Sequence, residues 1–257
     1  MTEPTVLYEV KNQIAYITLN RPKKSNAFNL EMSFALRDTW KRFEKDKNAL
    51  VAILSGSGKS FSVGVDLTDE DRKTGKPWQY HESYPLNGIT LFKPIVGAVR
   101  GYVLGQGYLI GVWGSDITIA SENATFGYPE GKAGVSQIPP QYVPYMPFKI
   151  QLEFMLLSWK GGRMMDAQRA YQVGLVNKVV PDAELMEEAV RWAEMLKGVP
   201  PLYIKSVKYG YYVGTERSAR KTEREYVDFV LPQETSQDKQ EAVRAFIEKR
   251  EPHFVGE

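Results

Sequence analysis

Three glycines and one glutamate are the residues of this chain whose types and spacing could support chemistry. Gly101, Gly105 and Gly107 lie close together in an otherwise apolar run, and Glu130 closes the same stretch, residues 100–130. Glycines at this density favour backbone with positive φ or a close approach to another group, because a Cβ would block both. A turn of this kind presents backbone N–H groups, which can bind a negatively charged oxygen.

Glu130 follows the short sequence Phe126-Gly127-Tyr128-Pro129. It comes after an apolar strand-like run and a polar turn, which predicts a position on the loop beyond a second strand. Aromatic neighbours would desolvate the carboxyl group and raise its pKa toward neutrality, as suits an acid/base catalyst. The other interpretation is an ordinary tight turn followed by a surface carboxylate, and this stretch alone leaves both open.

The composition excludes several classes of function. The chain has 257 residues, of which 43% are hydrophobic and 25% charged, as in an ordinary soluble globular protein. Its 33 basic and 31 acidic residues balance, so no overall field favours nucleic acid or a membrane surface. It lacks cysteine and has only two distant histidines, His81 and His253, so disulfides and common metal sites are not expected.

The N-terminal residues lack the pattern of a signal peptide, and no apolar run approaches the roughly 20 residues that span a bilayer. We therefore expect a cytoplasmic protein with no membrane or nucleic-acid partner.

Strands and helices are predicted to alternate up to residue 180, and helices alone to follow. Strands are predicted at 6–10, 14–19, 50–54, 94–99, 116–120 and 175–180, and helices at 30–46, 108–113, 149–159 and 166–173. Asn29 is the predicted N-cap of the first helix. Residues 68–88 lack a period and are interpreted as a flap near the substrate, and residues 131–148 are rich in proline. This order predicts an α/β core, residues 1–190, and a helical C-terminal region, residues 191–257.

A second small-residue turn occurs earlier in the chain. The sequence FSVGVDL, residues 61–67, places Gly64 inside an apolar run, where it too could expose a backbone N–H.

Six segments in this order resemble the enoyl-CoA hydratase/isomerase (crotonase) superfamily across nearly the whole chain. They are NRPKKSNAF at 20–28, SFSVGVDL at 60–67, KPIVGAVRGYVLGQG at 93–107, DITIASENATFGYPE at 116–130, AYQVGLVNKVVP at 170–181 and AVRAFIEKREPHF at 242–254. The resemblance implies a spiral of ββα units with a C-terminal helical trimerisation region. It also implies an acyl-CoA substrate, no cofactor beyond that thioester, and a homotrimer or a dimer of trimers.

The resemblance assigns roles to individual residues. Backbone N–H groups of Val65 and Gln106 would form an oxyanion hole, and two fixed donors stabilise an enolate by several kcal/mol, at about 2.7–4 for one. Glu130 would be the acid/base. The residues expected to contact the acyl-CoA are Lys24, Ala27, Val63, Gly64, Asp66, Gly105, Leu109, Tyr128, Phe246 and Lys249. Among these, Lys24, Ala27, Phe246 and Lys249 match the CoA-nucleotide region, while Asp66, like Asp116, matches a position that is generally structural.

One departure from the family affects the mechanism. Two-carboxylate hydratases carry a first glutamate two residues beyond the glycine turn, where this chain has Leu109. One extra residue separates the turn from Asp116, but shifting the alignment offers only Ile110. With Glu130 alone, the chemistry expected is isomerisation or hydration of an enoyl-CoA, and C–C hydrolysis, lyase chemistry or a non-catalytic CoA-binding scaffold are the alternatives.

Aromatic residues suggest a cyclic or aromatic acyl group. They are Trp78, Tyr80, Tyr84, Tyr128, Tyr142 and Tyr145. Tyrosines at 128, 142 and 145 are also candidates for a hydroxyl that assists Glu130, although pocket lining is the simpler interpretation.

Overall fold

The structure is a computed structural model that describes residues 3–69, 83–84, 91–133, 146–159, 161–210 and 236–253. The strands are β1 Val6–Lys11, β2 Ile14–Leu19, β3 Val51–Gly56, β4 Ile95–Val99, β5 Tyr102–Leu104, β6 Ile117–Ser121, β7 Thr125–Gly127, β8 Met165–Asp166 and β9 Lys178–Val180. The helices are α1 Leu30–Lys45, α2 (α-helical Gln106–Tyr108 continued by π-helical Leu109–Trp113), α3 Glu130–Ala133, α4 Phe148–Leu157, α5 Ala167–Gln172, α6 Leu185–Lys197, α7 at 201–210 and α8 Gln237–Glu248.

A six-stranded sheet in the order β1-β2-β3-β4-β6-β9 forms the centre of the fold. β1 and β2 form an antiparallel hairpin, and the following neighbours pair in parallel. Asn12 and Gln13 at the hairpin tip have φ of 50° and 63°, as the twist of a tight hairpin requires. Asn29 is confirmed as the N-cap of α1, since its side chain accepts a hydrogen bond from the Met32 N–H at 2.9 Å.

The sheet is covered on both faces, and β4 shows how. Val96 and Ala98 belong to a buried cluster with Leu185, Ala189 and other residues of α6. Gly97, which alternates with them, faces α2, and a Cβ there would lie 2.3 Å from the Gly111 carbonyl oxygen. Burial on both faces explains why β3 and β4 are continuous apolar runs.

A second sheet, in the order β5-β7-β8, is not predicted from the sequence pattern. Its strands are two or three residues long, too short for an alternating pattern to be seen. Thr125 and Phe126 pair with Asp166 and Met165. β7 ends at Gly127, three residues before Glu130.

The chain forms two compact units. One comprises residues 1–126 and 165–208, and the other residues 127–164 and 209–257.

The sheets and helices confirm the mixed α/β class with a parallel sheet, and the expected boundary at residue 190 falls inside α6. Most of the predicted flap, 68–88, and of the proline-rich segment, 131–148, lies outside the described residues. None of the helices that the structure describes is long and apolar enough to cross a membrane.

Candidate active site

A buried asparagine ties together the two loops that carry the first candidate donor. Asn26 is fully buried at a φ of 54°. Its amide donates to the carbonyls of Ser57 and Ser60 at 2.8 and 2.9 Å, and its side-chain oxygen accepts from the Arg21 N–H at 2.8 Å. Ser62 Oγ in turn donates to the Asn26 carbonyl at 2.8 Å. These bonds fix the backbone that leads to Val65.

The N–H of Val65 points away from the Phe28 segment that lies beside it. Phe28 forms a parallel bridge with Val65 by donating to the Gly64 carbonyl and accepting from the Asp66 N–H, both at 2.8 Å. Peptide groups alternate in extended chain, so the N–H of Val65 points to the opposite side. Within the described part of the chain that N–H has no hydrogen-bond acceptor. It is therefore available as a donor to a bound group.

The two glycine turns approach each other closely. Gly64 has a φ of +93°, and a Cβ there would lie 3.2 Å from the Leu104 carbonyl oxygen and 3.5 Å from the Gln106 nitrogen. Only glycine combines this backbone conformation with so narrow a space. The peptide nitrogens predicted as paired donors therefore come from adjacent segments of the first unit.

Gln106 opens helix α2, where the first N–H groups lack intrahelical acceptors. Gly105 before it has φ 51° and ψ −120°, a conformation essentially restricted to glycine. The Gln106 side chain is buried, and its Nε2 donates to Ser83 Oγ at 2.6 Å. Ser83 is held in turn, since its carbonyl accepts from Trp40 Nε1 at 2.9 Å.

The helix after this turn carries no carboxylate. Leu109 and Ile110 are both buried, so either alignment places an apolar side chain where a two-carboxylate hydratase has glutamate. Helix α2 continues in π geometry, and the Gly114 N–H donates to the Leu109 carbonyl five residues earlier at 2.9 Å. A π turn accommodates one extra residue in a helix. It accounts for the additional residue that the sequence shows before Asp116.

Asp66 is a structural carboxylate. Its Oδ1 accepts from the Thr68 N–H at 3.0 Å and the Thr68 hydroxyl at 2.7 Å, and its Oδ2 pairs with Arg21 at 3.1 Å. Burial alone would raise the pKa of Asp66, but the Thr68 and Arg21 hydrogen bonds outweigh it and hold that pKa below its usual value. An ionised, fully bonded carboxylate of this kind anchors the Val65 loop.

In the loop expected to contact the CoA nucleotide, some backbone groups already form hydrogen bonds within the protein. The Ala27 N–H donates to the Lys24 carbonyl at 3.0 Å, and the Ala27 carbonyl accepts from the Arg21 guanidinium. Lys24 itself is exposed, at the end of a single 3-10 turn. The Val63 N–H donates to the Ser25 carbonyl at 3.2 Å. Lys24 is thus exposed, whereas the backbone N–H groups of Ala27 and Val63 already have acceptors.

Glu130 is the first residue of the one-turn helix α3 rather than part of an open loop, and it belongs to the second unit. Gly131 allows this turn to pack on α4, since a Cβ there would lie 3.0 Å from the Met155 carbonyl oxygen. The Glu130 Oε2 is shielded from solvent, and no hydrogen-bond partner for it occurs among the described residues. Desolvation therefore raises the pKa of Glu130 to about 7, although its own backbone N–H partly offsets this.

Tyr128 lies two residues before Glu130 and is buried. Its N–H donates to the Ser158 carbonyl at 2.7 Å and to Ser158 Oγ at 2.8 Å. These bonds fix the backbone leading into α3. They hold the Glu130 turn against the C-terminal end of α4.

The remaining predicted contacts are described only in part. Lys249 is exposed just after α8 at a φ of 55°, and the Arg250 N–H donates to the Ala245 carbonyl at 3.0 Å, which closes the helix. The backbone of Phe246 lies within α8, but its side chain is outside what the structure describes. Also outside are the predicted aromatic residues Trp78, Tyr80, Tyr142 and Tyr145.

Sequence reasoning missed Ser83 and Asn26, the two buried residues that hold the candidate oxyanion turns. Both are polar residues within turn-rich segments, which gives no periodic signal. Their role depends on partners 23 to 36 positions away in the chain. The described residues contain no cluster of three or more side chains suited to a metal ion.

Comparison with known proteins identifies the family of the chain. Residues 9–257 match the family model described as enoyl-CoA hydratase/isomerase. The chain is 31% identical to (E)-benzylidenesuccinyl-CoA hydratase of Thauera aromatica, over 98% of this chain and 99% of that one. It is 34% identical to carnitinyl-CoA dehydratase of Salmonella heidelberg, over 95% of each chain.

Solved structures show the same fold. The crystal structure of carnitinyl-CoA hydratase from Mycobacterium avium matches with a TM-score of 0.84 and 30% identity, over 100% of both chains. That of enoyl-CoA hydratase/isomerase from Pseudoalteromonas atlantica has a TM-score of 0.84 and 27% identity, over 98% of this chain and 100% of that one. The chain belongs to the enoyl-CoA hydratase/isomerase family and is an enzyme of the crotonase fold that acts on CoA thioesters.

Proposed function

We propose that this enzyme reversibly hydrates the double bond of a 2-enoyl-CoA, with Glu130 as its single acid/base. The observation that carries the proposal is the shielded Oε2 of Glu130, without a hydrogen-bond partner among the described residues and with a pKa of about 7. A group with this pKa exists in both protonation states near neutral pH and can accept and return a proton.

One carboxyl group is sufficient because the proton that leaves water can be the proton that reaches carbon. The Glu130 carboxylate takes a proton from water as the water oxygen bonds to C3. The π electrons of the C2–C3 bond move onto the thioester oxygen, where the N–H groups of Val65 and Gln106 stabilise the enolate. Protonated Glu130 then returns the proton to C2, so hydroxyl and hydrogen arrive on the same face. Proton transfer and charge stabilisation are all this addition requires, so we propose no cofactor beyond the CoA of the substrate.

The names of the relatives support hydration and a bulky acyl group. Two relatives are a hydratase of benzylidenesuccinyl-CoA and a dehydratase of carnitinyl-CoA. The first name describes an aryl-substituted thioester, which agrees with the buried Tyr84 and Tyr128 of this chain. We therefore favour a cyclic or aromatic enoyl-CoA as the substrate.

Isomerisation is the second candidate, and Leu109 favours it. A 1,3-proton shift removes a proton from one carbon and returns it to another, with no water to activate. An apolar residue in place of the first glutamate suits that reaction at least as well.

The test is turnover of a matched panel of 2-enoyl-CoA and 3-enoyl-CoA thioesters, aliphatic and aryl-substituted, followed by absorbance and mass. We expect 2-enoyl-CoA substrates to gain one water in the wild type and not in Glu130→Gln. Glu122→Gln, at an exposed turn residue, is the control and should retain activity. A shift of the double bond without gain of water would select isomerisation, and no reaction with any thioester would refute both.

The charged contacts with CoA are proposed to come from Lys24 and Lys249, with Phe246 covering the adenine. Both lysines are exposed, as a phosphate-binding cation must be. Lys24→Gln should raise KM for the acyl-CoA several-fold with kcat unchanged. The exposed Lys47→Gln is a control for loss of surface charge.

Self-association as a homotrimer or a dimer of trimers is proposed from the family resemblance. It is supported by an apolar stripe on α4, where Phe148, Leu152 and Leu156 follow one another at four-residue spacing and are 72%, 42% and 63% exposed. Light scattering of the wild type and of Leu156→Arg tests it. A monomeric wild type would refute the proposal.

A further inference from the structure

The turn that carries the second oxyanion donor has a side chain at only one of its three positions. Gly105 and Gly107 flank Gln106, and Gly105 has a φ of 51° and a ψ of −120°. Without a Cβ at Gly105, hydrogen bonds rather than local sterics hold the peptide between Gly105 and Gln106, and its Gly105 carbonyl accepts from the Leu109 N–H at 3.0 Å. The N–H proposed to bind the thioester oxygen belongs to this peptide. The Gln106 side chain supplies a second restraint on the direction of this peptide.

The Gln106 side chain is anchored inside the first unit. Its Nε2 donates to Ser83 Oγ at 2.6 Å, with Gln106 2% exposed and Ser83 fully buried. The Ser83 carbonyl accepts from Nε1 of Trp40, a fully buried residue of α1, at 2.9 Å. The side chain is thus connected through Ser83 to helix α1.

We infer that Ser83 is a positioning residue, whose hydroxyl holds the Gln106 side chain and thereby directs the Gln106 peptide N–H toward the thioester oxygen. The inference rests on the proposed function, because it assumes that this N–H stabilises the enolate. Displacement of such a donor by about 1 Å lowers the rate on the order of 10²-fold. Loss of the anchor acts on charge that develops in the transition state, so it lowers kcat more than it raises KM.

The test compares Ser83→Ala, Gln106→Met and the double variant with the wild type. Gln106→Met keeps the length of the side chain and removes the amide donor, so it also covers the case in which Ser83→Ala does not fold. Ser33→Ala is the matched control, because Ser33 is equally buried and its hydroxyl donates to the Asn29 carbonyl at the start of its own helix, its one hydrogen bond among the described residues. Thermal unfolding is measured for every variant.

Two readouts separate positioning from stability. The first is kcat and KM on a reactive enoyl-CoA. The second is the infrared stretching frequency of the ¹³C-labelled thioester carbonyl of a bound saturated acyl-CoA, which reports hydrogen bonding to that oxygen without turnover.

We expect Ser83→Ala and Gln106→Met each to lower kcat about 10-fold to 100-fold and to shift the carbonyl frequency toward that of free acyl-CoA. The double variant should be no worse than either single variant, since both remove one anchor. An unchanged carbonyl frequency in both single variants, or full additivity in the double variant, would overturn the inference. Absence of turnover in the wild type would refute the proposed reaction, whereas the carbonyl frequency would still decide the role of Ser83.

Discussion

Asp66 and the Oε2 of Glu130 are both shielded from water, yet the pKa values of the two residues are shifted in opposite directions. Asp66 receives hydrogen bonds from Thr68 and Arg21, which hold its pKa below the usual value. The Oε2 of Glu130 has no hydrogen-bond partner among the described residues, and desolvation raises the pKa of Glu130 to about 7. Desolvation acts on both carboxyl groups, and the hydrogen bonds that Asp66 receives reverse the direction of its pKa shift. We propose that Asp66 serves structure and Glu130 moves protons.

The largest effect is expected from Glu130→Gln. Removal of a general acid/base lowers kcat by about 10²- to 10⁴-fold. The folded protein should be as stable as the wild type or more so above neutral pH, because a desolvated carboxylate that its own backbone N–H compensates only in part is replaced by a neutral amide. Enoyl-CoA turnover and urea unfolding at pH 8 measure the two effects. Marked destabilisation would place Glu130 in the same class as Asp66.

Gly64→Ala tests the close approach of the two glycine turns, in the loop that Asp66 anchors. The added methyl group would lie 3.2 Å from the Leu104 carbonyl oxygen at a φ of +93°, so the two turns must separate. We expect kcat to fall on the order of 10²-fold. Gly174→Ala is the control, because Gly174 has a φ of +78° but a Cβ there would meet no atom within 4 Å, so it tests backbone strain alone. Equal kcat losses in the two variants would contradict this explanation.

Asp66→Asn should affect stability more than chemistry. It removes the charge that pairs with Arg21 and weakens the bonds from Thr68, at about 1–3 kcal/mol of unfolding free energy. Asp38→Asn removes a charge from an exposed pair with Arg37 and should change that free energy by less than about 0.5 kcal/mol. Urea unfolding compares the two variants. A stability loss no greater at residue 66 than at residue 38 would contradict a structural role.

The two carboxylates should also give opposite dependences of stability on pH. Between pH 4.5 and about 7, folded Glu130 retains its proton while the unfolded chain loses it, so its contribution to stability falls as pH rises. Asp66 contributes stability above its usual pKa of 3.8, and this contribution is lost as pH falls through its lower folded pKa. The differences in unfolding free energy between the wild type and Glu130→Gln or Asp66→Asn, measured across pH, should show opposite slopes.

Much of this fold follows from local sequence patterns. The continuous apolar runs of β3 and β4 and the Asn29 cap of α1 are local signals, and the structure agrees with all three. The three short strands of the second sheet carry no such signal, because pairing with distant residues alone defines them. For this reason the sequence pattern predicts a loop at Glu130, whereas β7 and the Tyr128 bonds to Ser158 place it at the start of a helix.

The candidate site likewise contains residues that the sequence identifies and residues that it does not. Gly64, Gly105 and Glu130 are identified by residue type and by family resemblance, because glycine turns and a lone carboxylate are visible in a sequence. The anchor at Ser83 is not, since its bond to Gln106 joins residues 23 positions apart through a turn-rich segment. The π turn that accommodates the extra residue of α2 also depends on packing, where Gly111 meets the Phe61 ring.

The most direct test of Glu130 as the single acid/base is deuterium exchange at C2 of a 3-hydroxyacyl-CoA in heavy water, followed by mass spectrometry. We predict exchange by the wild-type enzyme, slowed at least about 100-fold in Glu130→Gln and unchanged in Glu122→Gln. Exchange at the wild-type rate in Glu130→Gln would contradict the account, because another group would then be moving the proton.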